Sequence, residues 1–497
     1  MRASNNPFEK LTGSDQLRSP VMFAGLFVLL AFSALVTAKI GLIGGLVFLS
    51  LPFVFAYLFL LFRMPVIGLY SAIVLGFLLL GIGRYVKGVP IGLAMDGMLY
   101  LTFIALFFNK FQDKIDWRPA WKDITILSAI WFAYSVLQIL NPEAKSFEAW
   151  FSGRGVGMYM FLLVTLTLLF IDSERKLNLF FYIWAVFSVL VTLKGIMQIQ
   201  FGVDAWEKAW LDEGNFKTHI LFGKLRAFSF LSDAGQFGAN QAYSGVVAGI
   251  MSMAMKDWRK KLFFIAVSLL SFYGMVISGT RGAISIPAAG FALFFILRKN
   301  KMVLISGFIM MVAVFYFFKF TTIGQGNDQI RRMRTAFDPN DASFQVRLEN
   351  QRILKTYMAS RPFGGGIGHG GVKAQKYLPN AFLSQVPTDS GYVLVWVEMG
   401  IVGLLLLLFI LFYVIVTSSF RIMFRIRDPI LKLKMAALTC GMSGIMVANY
   451  GNAVLGQMPT SMLIYISMAL LMNMKSFDTK DPETIQEKIL IPNSLTS

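Results

Sequence analysis

The sequence predicts an all-α protein, a polytopic transmembrane helical bundle of about fourteen spans with a large outer loop containing an amphipathic helix. Three observations predict it. The apolar share is 56%, above the roughly 45 to 50% of soluble domains. The apolar residues fall in runs of about 17 to 22, the length a helix needs to cross roughly 30 Å of hydrocarbon with its backbone hydrogen bonds satisfied internally. The Lys and Arg residues gather in short clusters between alternate runs, as cytoplasmic loops do.

The expected spans begin near Val21, Gly41, Pro65, Pro90, Ile124, Val156, Phe180, Ala239, Leu262, Ala283, Met302, Tyr392, Met435 and Ser461. Residues 1–20 are polar and contain no cleavable signal, so the first span is expected to remain in the mature chain. With that segment cytoplasmic, the inside loops carry Arg63; Lys110, Lys114, Arg118 and Lys122; Arg175 and Lys176; Lys256 to Lys261; Arg298 to Lys301; and Arg421 to Lys434. Both termini are then cytoplasmic, with residues 21–474 as one membrane domain and 475–497, polar and holding Pro482 and Pro492, as a disordered tail. Two outside segments, about 201–238 and 319–390, are too long for connectors, and long loops on a compact scaffold are usually functional. Within the second, residues 341–360 place Phe344, Leu348, Ile353 and Tyr357 near helical spacing, an amphipathic helix lying on the membrane or capping a cavity.

A formal net charge of +19 raises nucleic acid as a partner, but the 46 Lys and Arg form loop clusters and no basic stripe interleaved with aromatics. Nucleic-acid binding is set aside; membrane lipids are the expected surroundings. The single cysteine, Cys440, lies in an apolar run, and no Cys/His cluster has metal-ligand spacing, so neither metal nor cofactor is expected.

Arg281 stands in residues 278–283 (SGTRGA) between two apolar runs, the only charge between Lys261 and Arg298, with Gly279 and Gly282 beside it. An arginine snorkelling from a helix end is the ordinary reading; ionisable groups at membrane depth are functional candidates by default. Arg226 stands in residues 224–240 (KLRAFSFLSDAGQFGAN), where spacing alone does not separate it from Lys208, Lys217 and Lys224. Residues 361–371 (RPFGGGIGHGG) make a glycine-rich turn without the strand-to-helix context or Lys-Ser/Thr of a P-loop. Residues 387–403 (PTDSGYVLVWVEMGIVG) follow it into a long apolar run.

Together these stretches, in this order from Arg226 to Leu408, resemble the O-antigen ligase and O-antigen polymerase superfamily of membrane glycosyltransferases. The resemblance implies a metal-independent, inverting transfer of a glycan from undecaprenyl diphosphate to an acceptor hydroxyl at the periplasmic face of a bacterial inner membrane. It assigns the diphosphate to Arg226 and Arg281, and substrate contact to Arg347, Arg361, Gly366, Gly368, His369 and Tyr392. Fixed guanidinium groups suit that task, since a charge contact at 4 Å is worth about 4 kcal/mol at an effective dielectric near 20. Where ligases of the family carry a histidine before the last signature, this chain has Asp389, which becomes the candidate base, with His369 as its competitor and helix capping as its ordinary role. The acceptor, whether another lipid-linked glycan, a lipid A core or a protein hydroxyl, is left open. A transporter of the same polyprenyl-linked sugars is the rival from another class, against which stands the gathering of the motifs at one face instead of the midplane.

Overall fold

The computed structural model describes residues 20–86, 91–109, 116–221, 223–326, 328–334 and 342–478. The expected N-terminal segment up to 19, Lys110 and Lys114, Asp341 and the tail from 479 lie outside them. The first helices are α1 (Pro20–Ile40), α2 (Leu42–Arg63), α3 (Val66–Tyr85), α4 (Ile91–Asn109) and α5 (Asp123–Leu137). Then come α6 (Phe147–Gly153), α7 (Gly155–Phe170), α8 (Glu174–Gln200), and the short α9 (Ala205–Trp210) and α10 (Phe216–His219). The centre is α11 (Ala234–Ala254), α12 (Trp258–Ile277), α13 (Ser285–Leu297) and α14 (Lys301–Phe320). The chain continues through α15 (Asp328–Arg334), α16 (Ala342–Met358) and α17 (Phe382–Gln385) to α18 (Gly391–Phe424), α19 (Pro429–Ala448) and α20 (Thr460–Met472).

Each expected apolar run is helical. Among the described residues, eight helices are long and apolar enough to cross a membrane, and five shorter apolar helices accompany them. The central helix α11 belongs to neither group although it has 21 residues, because its first half carries Gln236, Asn240 and Gln241, all buried. It tolerates them by being enclosed. Small residues let its neighbours close in: a Cβ on Gly245 would lie 2.8 Å from the Phe272 ring, and where α13 crosses α19 one on Gly444 would lie 2.5 Å from the Ile286 carbonyl. Every residue of the 13-residue α20 is buried, whereas α14 buries only Gly307.

Contacts across the sequence sort the helix ends into two sets. At one end Lys434 Nζ pairs with Glu174 at 2.5 Å, Lys299 sits 3.6 Å from the Phe424 ring, and Arg421 donates to the Met472 carbonyl. At the other, Arg226 bonds to the 278–280 turn, Arg361 pairs with Glu143, and Ser232 donates to Gln457. The first set coincides with the loops that alternate as basic in the sequence, and we call it the basic end. The second gathers the described residues of 201–233, 321–390 and 449–459 and is the loop-rich end.

One local expectation is sharpened and one changes. Helix α16 forms with Phe344, Leu348 and Ile353 exposed, while Tyr357 joins a packed face that runs through Arg347, Asn350, Leu354 and Met358, because Leu354 and Met358 meet Leu383, Val386 and Val397. Tail residues up to Asp478 are ordered: Asp478 is buried and accepts the backbone N–H groups of Arg427 and Asp428.

Candidate active site

The loop-rich end is organised around a strap, residues 223–233, that enters α11. Its conformation is over-determined. The backbone N–H groups of Phe228 and Ser229 both donate to Gln198 Oε1 at the end of α8, at 3.1 and 2.8 Å. Arg84, buried at the end of α3, donates to the carbonyls of Ser229 (2.6 Å) and Leu231, with its guanidinium carbon 4.4 Å from the Trp210 ring and 4.6 Å from Phe228. These bonds hold Ser229 at φ +53°, a left-handed conformation that a side chain rarely adopts unaided. His219 closes the strap from below: its Nε2 accepts from the Ala234 N–H and its Nδ1 donates to the Asn215 carbonyl, and burial lowers its pKa.

The strap delivers Arg226 onto the turn that carries Arg281. Its Nε donates to the Ser278 carbonyl at 3.0 Å, Nη2 to Thr280 Oγ1 at 3.0 Å and Nη1 to the Thr218 carbonyl at 2.8 Å. Thr280 in turn donates to the Ala234 carbonyl, tying the turn to the start of α11. Three of the five guanidinium N–H groups are thus spent on position, leaving one on each terminal nitrogen. Burial depresses the Arg226 pKa to about 10, helped by the fields of Arg332 and Arg281 and opposed by Asp233, so it stays cationic at neutral pH. Arg332 belongs to α15, which packs on the 281–284 turn; Arg334 fastens that helix to the end of α14 through Ile323 and Thr321. Three arginines from segments far apart in sequence therefore converge. Asn452 approaches both the start of α11 and the turn, 3.3 Å from where a Cβ on Gly235 would be and 3.9 Å from one on Gly282.

Residues 449–452 also connect this cluster to Asp389. Gly391 N–H and Ser390 Oγ donate to the Asn449 carbonyl, and Arg347 Nη1 comes within 4.0 Å of a Cβ position on Gly451. Arg347 Nε lies 3.9 Å from Asp389 Oδ2, whose side chain is 42% exposed. The cap position of α18 is Ser390, with no side-chain cap bond, so capping is not what Asp389 does. The Tyr392 hydroxyl donates to the Met446 carbonyl at 2.7 Å.

The glycine-rich turn has another place. Helix α18 breaks at Gly400 (φ +69°), and the turn wraps the break. Gly365 and Gly366 N–H donate to the Val397 and Glu398 carbonyls, Gly368 N–H to Glu398 Oε1, and Val402 N–H to the Pro362 carbonyl. Gly364, Gly366 and Gly368 all have positive φ, and a Cβ on Gly368 would lie 2.1 Å from the Ala149 carbonyl. The donors of Gly366 and Gly368 are committed to Glu398, so here the glycines serve close packing and not the cradling of a ligand. His369 is buried with both ring nitrogens engaged: Nδ1 donates to the Ile367 carbonyl at 3.0 Å, Nε2 accepts from the Ser146 N–H at 3.1 Å, and burial lowers its pKa. A histidine so held has no nitrogen to offer a substrate. Arg361 lies on this collar too, 3.3 Å from Glu143 and stacked 4.0 Å over Tyr357.

Of the residues singled out from sequence, Arg226 and Arg281 share one turn and Arg347 and Asp389 lie together beyond residues 449–452, while Arg361, Gly366, Gly368 and His369 belong to the collar. Arg84, Gln198, Arg332, Asn452 and Glu398 were missed. Glu398 carried a signal, being a lone charge in an apolar stretch.

The O-antigen ligase family profile matches residues 266–408, which contain the Arg281 turn, α15, α16, the collar and Asp389. An O-antigen polymerase of Salmonella muenchen is 23% identical over 330 residues, covering 64% of this chain and 80% of that protein. No solved structure matches. A many-helix membrane layout, the matched segment and that relative agree with one another, and together they support the O-antigen ligase and O-antigen polymerase superfamily of membrane glycosyltransferases.

Proposed function

We propose that this protein transfers a glycan from undecaprenyl diphosphate to the hydroxyl of a second lipid-linked glycan, as a polymerase, at the periplasmic end of a bundle of about fourteen crossings. The observation that carries the reading is the Arg226 guanidinium locked on the Arg281 turn. In the reaction the acceptor hydroxyl attacks the anomeric carbon, the bond from that carbon to the phosphate oxygen breaks, and the configuration inverts. The leaving diphosphate gains the negative charge. Arg226 offers its two remaining N–H groups, and Arg281 and Arg332 add their charge where it develops; such preorganised donors need no rearrangement at the moment of reaction. Asp389, exposed and steered by Arg347, accepts the proton of the attacking hydroxyl.

Polymerisation is preferred over ligation because the relative that covers most of this chain is named a polymerase. Ligation to a lipid A core is the second reading, favoured by the description of the family whose profile matches residues 266–408. Basic clusters on the end opposite the arginines support the periplasmic assignment. The deciding experiment is reconstitution of the full chain with an undecaprenyl-diphosphate glycan alone or with lipid A core. Chain extension on the carrier is expected; product only on lipid A would replace polymerase with ligase, and no transfer to either acceptor would remove the reading.

A further inference from the structure

At the basic end, a cavity of about 270 Å³ opens between α8, the end of α11, α12 and α19. It is distinct from the arginine cluster: α11 runs from Ala234 at one to Ala254 at the other, roughly 30 Å at 1.5 Å per residue. Lys256, Lys260 and Lys434 line it, with Asn178, Tyr182 and Glu174. Lys434 is 2% exposed, its charge answered by Glu174. Asp257, the other carboxylate here, accepts the Arg259 N–H as cap of α12. Both acids are therefore engaged, while Lys256 and Lys260 are exposed and have no hydrogen-bond or ion-pair partner among the described residues. The helices α8, α12 and α19 all begin at this cavity, so the positive ends of three macrodipoles add to the lysines. Trp258, 67% exposed beside Arg259, marks the rim as the kind of surface found at lipid headgroup depth.

We propose that this cavity binds a phosphate-bearing group, from an anionic phospholipid headgroup or from a small soluble phosphate. Basic pockets between transmembrane helices on the positive side take such headgroups. The volume falls just below the range of typical ligand pockets, about 300 to 1,000 Å³, which suits a headgroup-sized ligand. Aromatic side chains Phe181 and Phe264 supply the apolar wall on which glycerol or a first acyl carbon can rest.

The test is native mass spectrometry of the full-length protein titrated with phosphatidylglycerol, phosphatidylcholine and inorganic phosphate. The comparison is between wild type, a Lys256→Gln/Lys260→Gln double variant and an Arg298→Gln/Lys301→Gln double variant at another basic loop of the same end. Phosphatidylglycerol is expected to bind at least about tenfold more tightly than phosphatidylcholine, and the first variant to lose that preference while the second keeps it. Displacement of the lipid by millimolar phosphate would identify a soluble phosphate as the ligand, and persistence of the lipid would identify the headgroup. Equal binding of the two lipids with no binding of phosphate, or equal losses in both variants, would overturn the proposal. Lys256 and Lys260 are surface residues, so folding of the variant is expected to persist and is checked by its thermal transition.

Discussion

Both ends of the bundle are cationic, but they hold their charge in opposite ways. At the loop-rich end Arg226 spends three donors on protein oxygens, and the strap that bears it is pinned by Arg84, Gln198 and His219. At the basic end Lys256 and Lys260 stand unpartnered among the described residues on flexible stems. The first arrangement stores no reorganisation for the moment when charge develops, which is what accelerating a reaction requires. The second can settle on whatever anion arrives, which is enough for binding. The difference between them lies in how much of each side chain's freedom the fold has already removed, and charge count alone would not reveal it.

The largest expected effect tests that difference directly. Arg226→Lys and Arg281→Lys are each expected to lower turnover about 100- to 1,000-fold, nearly as far as the alanine variants, because lysine keeps the charge and loses the planar fork. Lys256→Arg is expected to leave turnover within about twofold, as a surface exchange away from the chemistry. Initial rates in reconstituted vesicles measure both, and a lysine at 226 that retained most of the rate would erase the contrast between the ends. Next in size is Asp389→Asn, expected to cut kcat about 100-fold with donor KM and the thermal transition unchanged. If His369→Gln did this and Asp389→Asn did not, the base would have to be reassigned.

Stability separates the collar from simpler loops. Gly364→Ala must place a Cβ 2.4 Å from the Glu398 carbonyl at φ +84°, whereas Gly223→Ala adopts φ +73° with nothing within 4 Å. The first is expected to cost about 3 kcal/mol or more and the second about 1 kcal/mol, read from denaturant titrations in detergent. The smallest effect concerns pH. Burial lowers the pKa of His369 in the folded protein, so the unfolded chain takes up the proton first, near pH 6.5. Stability is therefore full above that value and declines as pH falls through it toward the folded-state value. His369→Gln is expected to flatten this decline between pH 7 and 5, and an unchanged slope would show that the histidine is not held neutral.

Much of this arrangement was legible in the chain. Apolar run length gave the helices, and the alternation of Lys and Arg sorted their ends into the two groups that Glu174–Lys434 and Arg226–Ser278 later join. Arg281 was legible as a lone charge between Lys261 and Arg298 with glycines beside it, whereas Arg226 was singled out only through the family resemblance. Arg332 was not, because its importance comes from the fold of residues 321–334 over the Arg281 turn, and RRMR reads as a solvated charge run in isolation. The packed face of α16 was not legible for a related reason. Phe344 and Leu348 have helical spacing, but the packed face was decided by Leu383 and Val397, which periodicity within one helix does not see.

The break at Gly400 has a mechanical consequence. A helix interrupted at one residue is a hinge, and the stub from Gly391 to Met399 would pivot about it and sweep Asp389 through an arc. The collar acts as a brace: four backbone donors tie it across the hinge, and Gln138, Asn141 and Ser146 rivet it to the α5–α6 connector. Tyr134 adds a strut, its hydroxyl donating to the Met399 carbonyl at 2.7 Å. The aim of a carboxylate at the start of the longest described helix is thereby gauged against a connector some 250 residues upstream. Shortening that connector by a residue would retune the angle of Asp389 without touching a side chain near it.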